Sequence, residues 1–212
     1  MAEFWSNVTV QVQSTLGSSV TISGITQASP GVVTTSTSHS LTTGDVVVMT
    51  VDGMAQLNGR AFRVTVLTAT TFELEDEDTT DYNTFVSGTL KEVTAWSSMT
   101  TATGINVSGG DPEFADITTI HDTIRKQVPT VVSPLQISID SLFDPADAAL
   151  TKLRNATQTK TTRVCRFTFS SGSVMVFNAY VSAVGVPTGT AQQSVTTPVS
   201  LSVQGLPKVY EA

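Results

Sequence analysis

The sequence predicts a mainly β protein: a sandwich or barrel core carrying one packed α-helix, with a small all-β domain inserted near its start. Three observations carry that prediction. Serine and threonine supply 59 of 212 residues, 23 and 36 respectively, and such a chain favours strands with hydroxyl-bearing solvent faces over long helices. Short apolar alternations recur between turn signals such as Pro30-Gly31, Thr43-Gly44-Asp45, Asp52-Gly53 and Asn58-Gly59. A single segment, 144–157, has a helical period instead.

In chain order, 8–12 alternates strictly and reads as a strand, and 20–22 reads as a second. Strands at 46–51, 61–67 and 71–74 follow, joined by the turns above. This defines a small all-β module at 19–90, which the second of the resemblances described below implies is an insertion into a core domain of 1–18 and 91–212. The net charge is −7, and the module holds Arg60 and Arg63 against eight acids, giving −6. Its acidic stretch, 73–81, reads as a solvated loop, because no flanking His or glycine turn supplies metal-ligand spacing. His39, in Ser38-His39-Ser40, is expected to orient a turn.

The region 97–112 is punctuated by Gly104, Gly109-Gly110 and Asp111-Pro112, and 113–127 mixes apolar and charged residues without a period. An extended or partly ordered loop is expected there, ordered by a neighbouring subunit, with Ile117, Ile120 and Ile124 in need of cover. His121-Asp122 reads as a surface pair, since no nucleophile sits in an elbow motif.

A strand at 135–140 precedes the helix. Asp144 is expected as its N-cap, Pro145 at the first helical position and Asp147 in the first turn. Ala146, Ala149, Leu150 and Leu153 form its buried stripe, with Lys152 and Arg154 outward. The hairpin at 163–186 turns at Ser170-Ser171-Gly172-Ser173. If Phe169 faces Val174, then Phe167 faces Val176 and Cys165 faces Asn178, while Arg166 faces Phe177 and Thr168 faces Met175. The mixed row containing Arg166 should then lie against protein, with Arg166 paired to an acid. The last strand, 194–204, puts Val195, Thr197, Val199, Leu201 and Val203 on one face and Thr196, Pro198, Ser200, Ser202 and Gln204 on the other, with an interruption or an unpaired side at Pro198.

These residues exclude several function classes. There is no basic patch for tight or sequence-specific nucleic-acid binding, and no apolar run approaches the length of a membrane span, so no membrane insertion is expected. The lone Cys165 forbids an internal disulfide and reads as a buried thiol. The start MAEFWSNVTV lacks a basic region followed by an apolar core, so three glycosylation tripeptides are expected to stay unmodified. No nucleophile, base and orienter set is found, and no enzyme activity, cofactor or metal is expected.

Two resemblances add to this reading. ITQASPGVVTTSTSHSLTTGDVVVM, LNGRAFRV and TFEL resemble the small β-barrel first named in ubiquitin-activating enzymes, the first catalytic-cysteine half-domain. Nothing enzymatic carries over, since the module has no thiol and the chain no glycine-rich phosphate loop. LQISIDSLFDPADAALTKLRNATQ, RVCRFTFSSGSVMVFNAYVSAVGV and VSLSVQGLP resemble the tail tube protein of long-tailed, non-contractile phages of the lambda type.

The second resemblance implies a structural virion protein of the tail, assembled in the host cytoplasm. Its hexameric rings would join hairpins and long strands into one multi-subunit β-barrel and stack into a tube, with DNA as non-specific passing cargo. Implied partners are other copies of the chain, a tape measure protein, a tail terminator and a distal tail protein. Within that picture Thr196, Ser200, Ser202 and Gln204 are expected to face the lumen, Ile117, Ile120 and Ile124 the next ring, and the 19–90 module the tube exterior. Two other readings remain: an adhesin or carbohydrate-binding module, which would need exposed aromatics among Phe62, Phe72, Tyr82 and Phe85, and the tube of a contractile injection or secretion machine.

Overall fold

The computed structural model describes residues 7–212, so the first six residues of the 1–18 segment lie outside the described residues. In chain order the elements are β1 (Thr9–Leu16), β2 (Val20–Ile25), β3 (Val32–Thr35), β4 (Val46–Asp52), β5 (Ala61–Val66), β6 (Thr71–Leu74), β7 (Ser87–Met99), β8 (Ala102–Ser108), β9 (Pro112–Asp116), β10 (Gln127–Val132), β11 (Gln136–Ser141), α1 (Ala148–Thr159), β12 (Thr162–Thr168), β13 (Val174–Ser182), β14 (Val199–Val203) and β15 (Lys208–Tyr210). Among the described residues the protein is mainly β with this single α-helix, as the composition predicts.

The thirteen-residue β7 joins two halves of one sheet. Its first part pairs with β4 and β2, and the order β2-β3-β6-β5-β4-β7 closes on itself as a six-stranded barrel. Closure leaves no open edge there. Val33, Met49, Phe62, Phe72 and Leu74 fill the barrel completely buried. The second part of β7 pairs with β1, and the sheet continues β1-β12-β13-β14-β11 to an edge at β8 that is free among the described residues.

Helix α1 covers one face of this open sheet. Ala149, Leu150 and Leu153 pack with Val10 and Val12 of β1, Cys165 and Phe167 of β12, Phe177 and Ala179 of β13, and Leu201 of β14. Burying each of the larger side chains contributes roughly 1.5–3 kcal/mol. The helix begins later than its sequence predicts. Asp144 closes a turn, accepting from Ala146 N at 2.9 Å, and Asp147 is the N-cap, accepting from Ala149 N and Leu150 N at 2.8 and 3.0 Å. The other oxygen of Asp147 accepts from Thr101 Oγ1 and Thr100 N, at 3.1 and 3.3 Å. A cap that also satisfies the β7–β8 turn wins over one that satisfies only its own turn, and Ala146 is left exposed outside the helix.

The β12–β13 hairpin is one residue out of the expected register. Thr168 pairs with Val174, Phe167 with Met175, Arg166 with Val176 and Cys165 with Phe177. Phe169 N donates to Ser173 O at 2.9 Å, so the loop is Ser170-Ser171-Gly172, three residues and not four. Gly172 has φ 93°, the left-handed residue that closes a three-residue hairpin loop. The shift sends Phe167 and Val176 to opposite faces, and both are buried.

Residues 97–133 are more ordered than their lack of period predicts. Ser97–Met99 end β7, β8 pairs with β11, and β9 and β10 form a separate two-stranded arm. Backbone pairing, which needs no apolar period, orders this region. Near the C-terminus, β14 starts after Pro198, which cannot donate to a ladder. The chain bends at Gln204–Pro207 and resumes as β15 along the same edge of β13, Val176 opposite Lys208.

Candidate functional site

The face of the open sheet opposite α1 divides into two parts. At the Val174 end of β13 it is covered by the barrel: Val164, Val176 and Tyr210 are buried with Val46, Ala61 and Val93, and Trp96 packs against them. Asn178 Nδ2 donates to Gly59 O at 2.8 Å and marks the border. Beyond it the face is bare and polar. Tyr180, Ser202, Gln136 and Ser108 form one row across four strands; Ser182, Ser200, Ser138 and Asn106 form the next. Asp140 follows, accepting from Asn106 Nδ2 at 3.3 Å. These rows contain no Lys or Arg.

Of the four residues read from sequence as one surface, Ser200 and Ser202 lie in these rows, with Ser200 exposed and Ser202 half-buried. Gln204 is half-buried in the bend toward β15, its N donating to Asn178 O at 2.8 Å. Thr196 lies before the Pro198 break, bridged to Thr188 and Leu142. The strand face therefore begins at Val199 and not at residue 194.

The β9–β10 arm is exposed along its whole length. Ile117, Ile120 and Ile124 lie in the turn beyond its strands, and Ile120 is 97% and Ile124 77% exposed. His121 and Asp122 do not pair: the Asp122 carboxylate accepts from Thr119 N at 3.0 Å and binds Lys126. These contacts hold the carboxyl below its usual range, the Lys126 bond foremost.

The joint between barrel and sheet is built from residues the sequence reading leaves unconnected. Glu77 is 3% exposed, bound by Arg60 at 2.6 Å, Tyr82 Oη at 2.8 Å and Lys208 at 3.1 Å. Burial pushes its carboxyl up, but the hydrogen bonds from Arg60, Tyr82 and Lys208 outweigh this and hold it below the usual range. Glu75 forms an ion pair with Arg63, whose guanidinium lies 4.7 Å from the Tyr210 ring, and Tyr210 Oη accepts from Arg63 N at 2.9 Å. The stretch 73–81 is thus a partly buried joint, not a solvated loop, because the two arginines of the barrel and Lys208 face it. Only tertiary packing brings Lys208 and Tyr210 there, although the alternation Lys208-Val209-Tyr210 before the C-terminus marks a short strand.

Arg166 meets no acid among the described residues. Its Nε and Nη2 donate to Gln11 Oε1 at 2.9 and 2.5 Å, and its guanidinium lies 4.3 Å from the Trp96 ring. The amide and the ring satisfy it in place of a carboxylate. His39 packs edge-on against Phe72 at 5.4 Å with both ring nitrogens lacking a hydrogen bond among the described residues, so ring packing and its backbone bond to Ala69, not imidazole hydrogen bonds, hold the turn. Burial pushes the Cys165 thiol up to about 12. Phe62 and Phe72 are core, and Tyr82 and Phe85 pack half-buried against it, so the barrel offers no exposed aromatic platform among these four.

A family model described as phage tail tube protein, TTP, matches residues 52–212. The chain belongs to the phage tail tube protein family. The match begins at the last residue of β4, so in this tail tube protein the family's region takes in β5, β6 and β7 of the barrel as well as the open sheet, α1 and the arm. Membership makes the tail tube protein a structural component of a virion tail that self-assembles into a tube. A search of curated proteins finds no match.

Proposed function

We propose that this chain is the repeating subunit of a long, non-contractile tail tube, forming hexameric rings that stack around a channel for DNA. The observation that carries this reading is the bare polar face of β13, β14, β11 and β8, which presents hydroxyls, amides and Asp140 and no cation. DNA binds proteins through Lys and Arg contacts to phosphate; a wall without them lets the duplex slide. Ser200 and Ser202, with Thr196 and Gln204 at the margins, line that channel. The unpaired edge of β8 meets a strand of the neighbouring copy, which removes the aggregation liability of an open sheet.

The 19–90 barrel, at the opposite end of β13 from Ser182, stands at the periphery, with 1–18 and 91–212 as the tube-forming core. Its exposed Asp52, Asp76, Asp78 and Asp81 give the tail an acidic exterior that discourages lateral association. The arm, with Ile117, Ile120 and Ile124, reaches the next ring. A tape measure protein fills the channel before ejection, and a tail terminator and a distal tail protein close the two ends.

Negative-stain microscopy of the purified chain should show rings or tail-width filaments, and a strict monomer under all conditions refutes the reading. In assembled phage, Ser200→Arg with Ser202→Arg should leave tubes intact and slow DNA ejection. Unchanged ejection would remove the lumen assignment.

A further inference from the structure

The tip and the base of the β9–β10 arm have matching chemistry. At the tip, Ile117 N donates to Lys126 O at 3.0 Å, Thr118 N to Asp116 Oδ1 at 2.8 Å and Thr119 N to Asp122 Oδ2 at 3.0 Å, and Lys126 binds Asp122. These bonds close residues 117–126 into a shaped knob that presents Ile120 and Ile124 to solvent. Arg125, beside Ile124, is exposed and forms no ion pair among the described residues.

At the base lies a mostly apolar groove of ≈ 200 Å³ between Gly110, Val132, Pro134, Leu135, Val203 and Leu206. Leu206 is 70% exposed on its rim. Asp111 and Glu113, next along the chain from Gly110, are exposed and without an ion pair among the described residues. Knob and groove are therefore complementary in both hydrophobicity and charge.

One molecule cannot satisfy this complementarity by itself. The paired strands from Pro112↔Val132 to Asp116↔Gln127 hold the two ends apart, by roughly 15 Å at the rise of a strand. Between copies the contact is heterologous, knob to groove, and where its rotation does not close into a ring such a contact continues as an open stack.

We propose that Ile120 and Ile124 of one copy seat in the groove beside Leu206 of the next copy along the tube, with Arg125 against Asp111 and Glu113. This rests on the stacked-ring reading above and names the receiving surface for the arm.

The test uses the full-length chain with Ile120→Cys and Leu206→Cys. Cys165, the native cysteine, is buried, so background reaction is low. Mild oxidation of assembled tubes should give a ladder of covalent multimers, whereas Ile120→Cys with Val86→Cys, an exposed barrel position, should give none. Independently, Arg125→Glu should raise the concentration needed for stacking about tenfold, the effect of ~1.4 kcal/mol, and adding Asp111→Arg and Glu113→Arg should restore it. Tubes that form without a ladder and ignore Arg125→Glu overturn the docking while leaving the tube intact. If the cysteine pair blocks assembly, the charge swap decides: restored stacking supports the contact and unrestored stacking overturns it. A wild-type chain that never stacks overturns the stacked-ring reading and this contact together.

Discussion

The Arg166 guanidinium lies 4.3 Å from the centre of the Trp96 ring while two of its nitrogens share Gln11 Oε1. Three neighbouring strands, β7, β1 and β12, are thus tied by one cation that has no anion beside it among the described residues. Burial lowers the pKa of Arg166, and the arginine remains the cation of this contact because its guanidinium is effectively always protonated. Arg166→Lys keeps the charge but loses the planar fork and the stacking. It should destabilise the fold by about 1 kcal/mol, and Trp96→Phe by a similar amount. Urea midpoints unchanged in both variants would show that the contact contributes nothing.

The two aspartates before α1 should differ in cost. Asp147→Ala removes the cap and takes an acceptor from the part-buried donors of Thr100 and Thr101, and should cost about 2 kcal/mol. Asp144→Ala, at a more exposed turn, should cost below ~1 kcal/mol. Equal losses in urea unfolding would contradict the assignment of the cap to Asp147.

Stability should fall in acid through Glu77. A carboxyl held below its unfolded value stabilises the folded state fully above the unfolded pKa, and this contribution is lost as pH drops through the folded pKa. Unfolding free energy of the wild type should therefore decline as pH falls below the ordinary carboxylate range, about 4. Glu77→Gln should be less stable at neutral pH, because Arg60 and Lys208 lose their shared anion, and its pH profile should be flatter. Parallel profiles for the two proteins would count against the Arg60–Glu77–Lys208 joint.

Cys165 should ignore thiol reagents at pH 8. It is fully buried and its thiol is pushed up to about 12, so thiolate forms only when the chain opens. Labelling should track global unfolding in urea; rapid labelling of the native protein would contradict the buried position between α1 and the sheet.

Alternation alone determined much of this protein. The apolar rows of Val47, Met49 and Val51, of Ile137 and Ile139, and of Val199, Leu201 and Val203 placed strands and their buried sides, because a two-residue period leaves one choice of face. The break at Pro198 and the buried helical stripe of Ala149, Leu150 and Leu153 were legible for the same local reason, as was the absence of cations from the Ser200–Ser202 face. Three features depended on tertiary structure. A three-residue loop at Ser170-Ser171-Gly172 and a four-residue one both fit the local sequence, and packing of Phe167 and Phe177 under α1, at 5.3 Å edge to face, accompanies the register adopted. The helix cap went to Asp147 because Thr100 and Thr101, more than forty residues earlier, bring their donors to it. The acidic stretch became a joint because Arg60 and the distant Lys208 converge on Glu77. Local sequence encodes which residues seek burial or a partner; long-range contacts, which no local pattern reports, decide which partner each one finds.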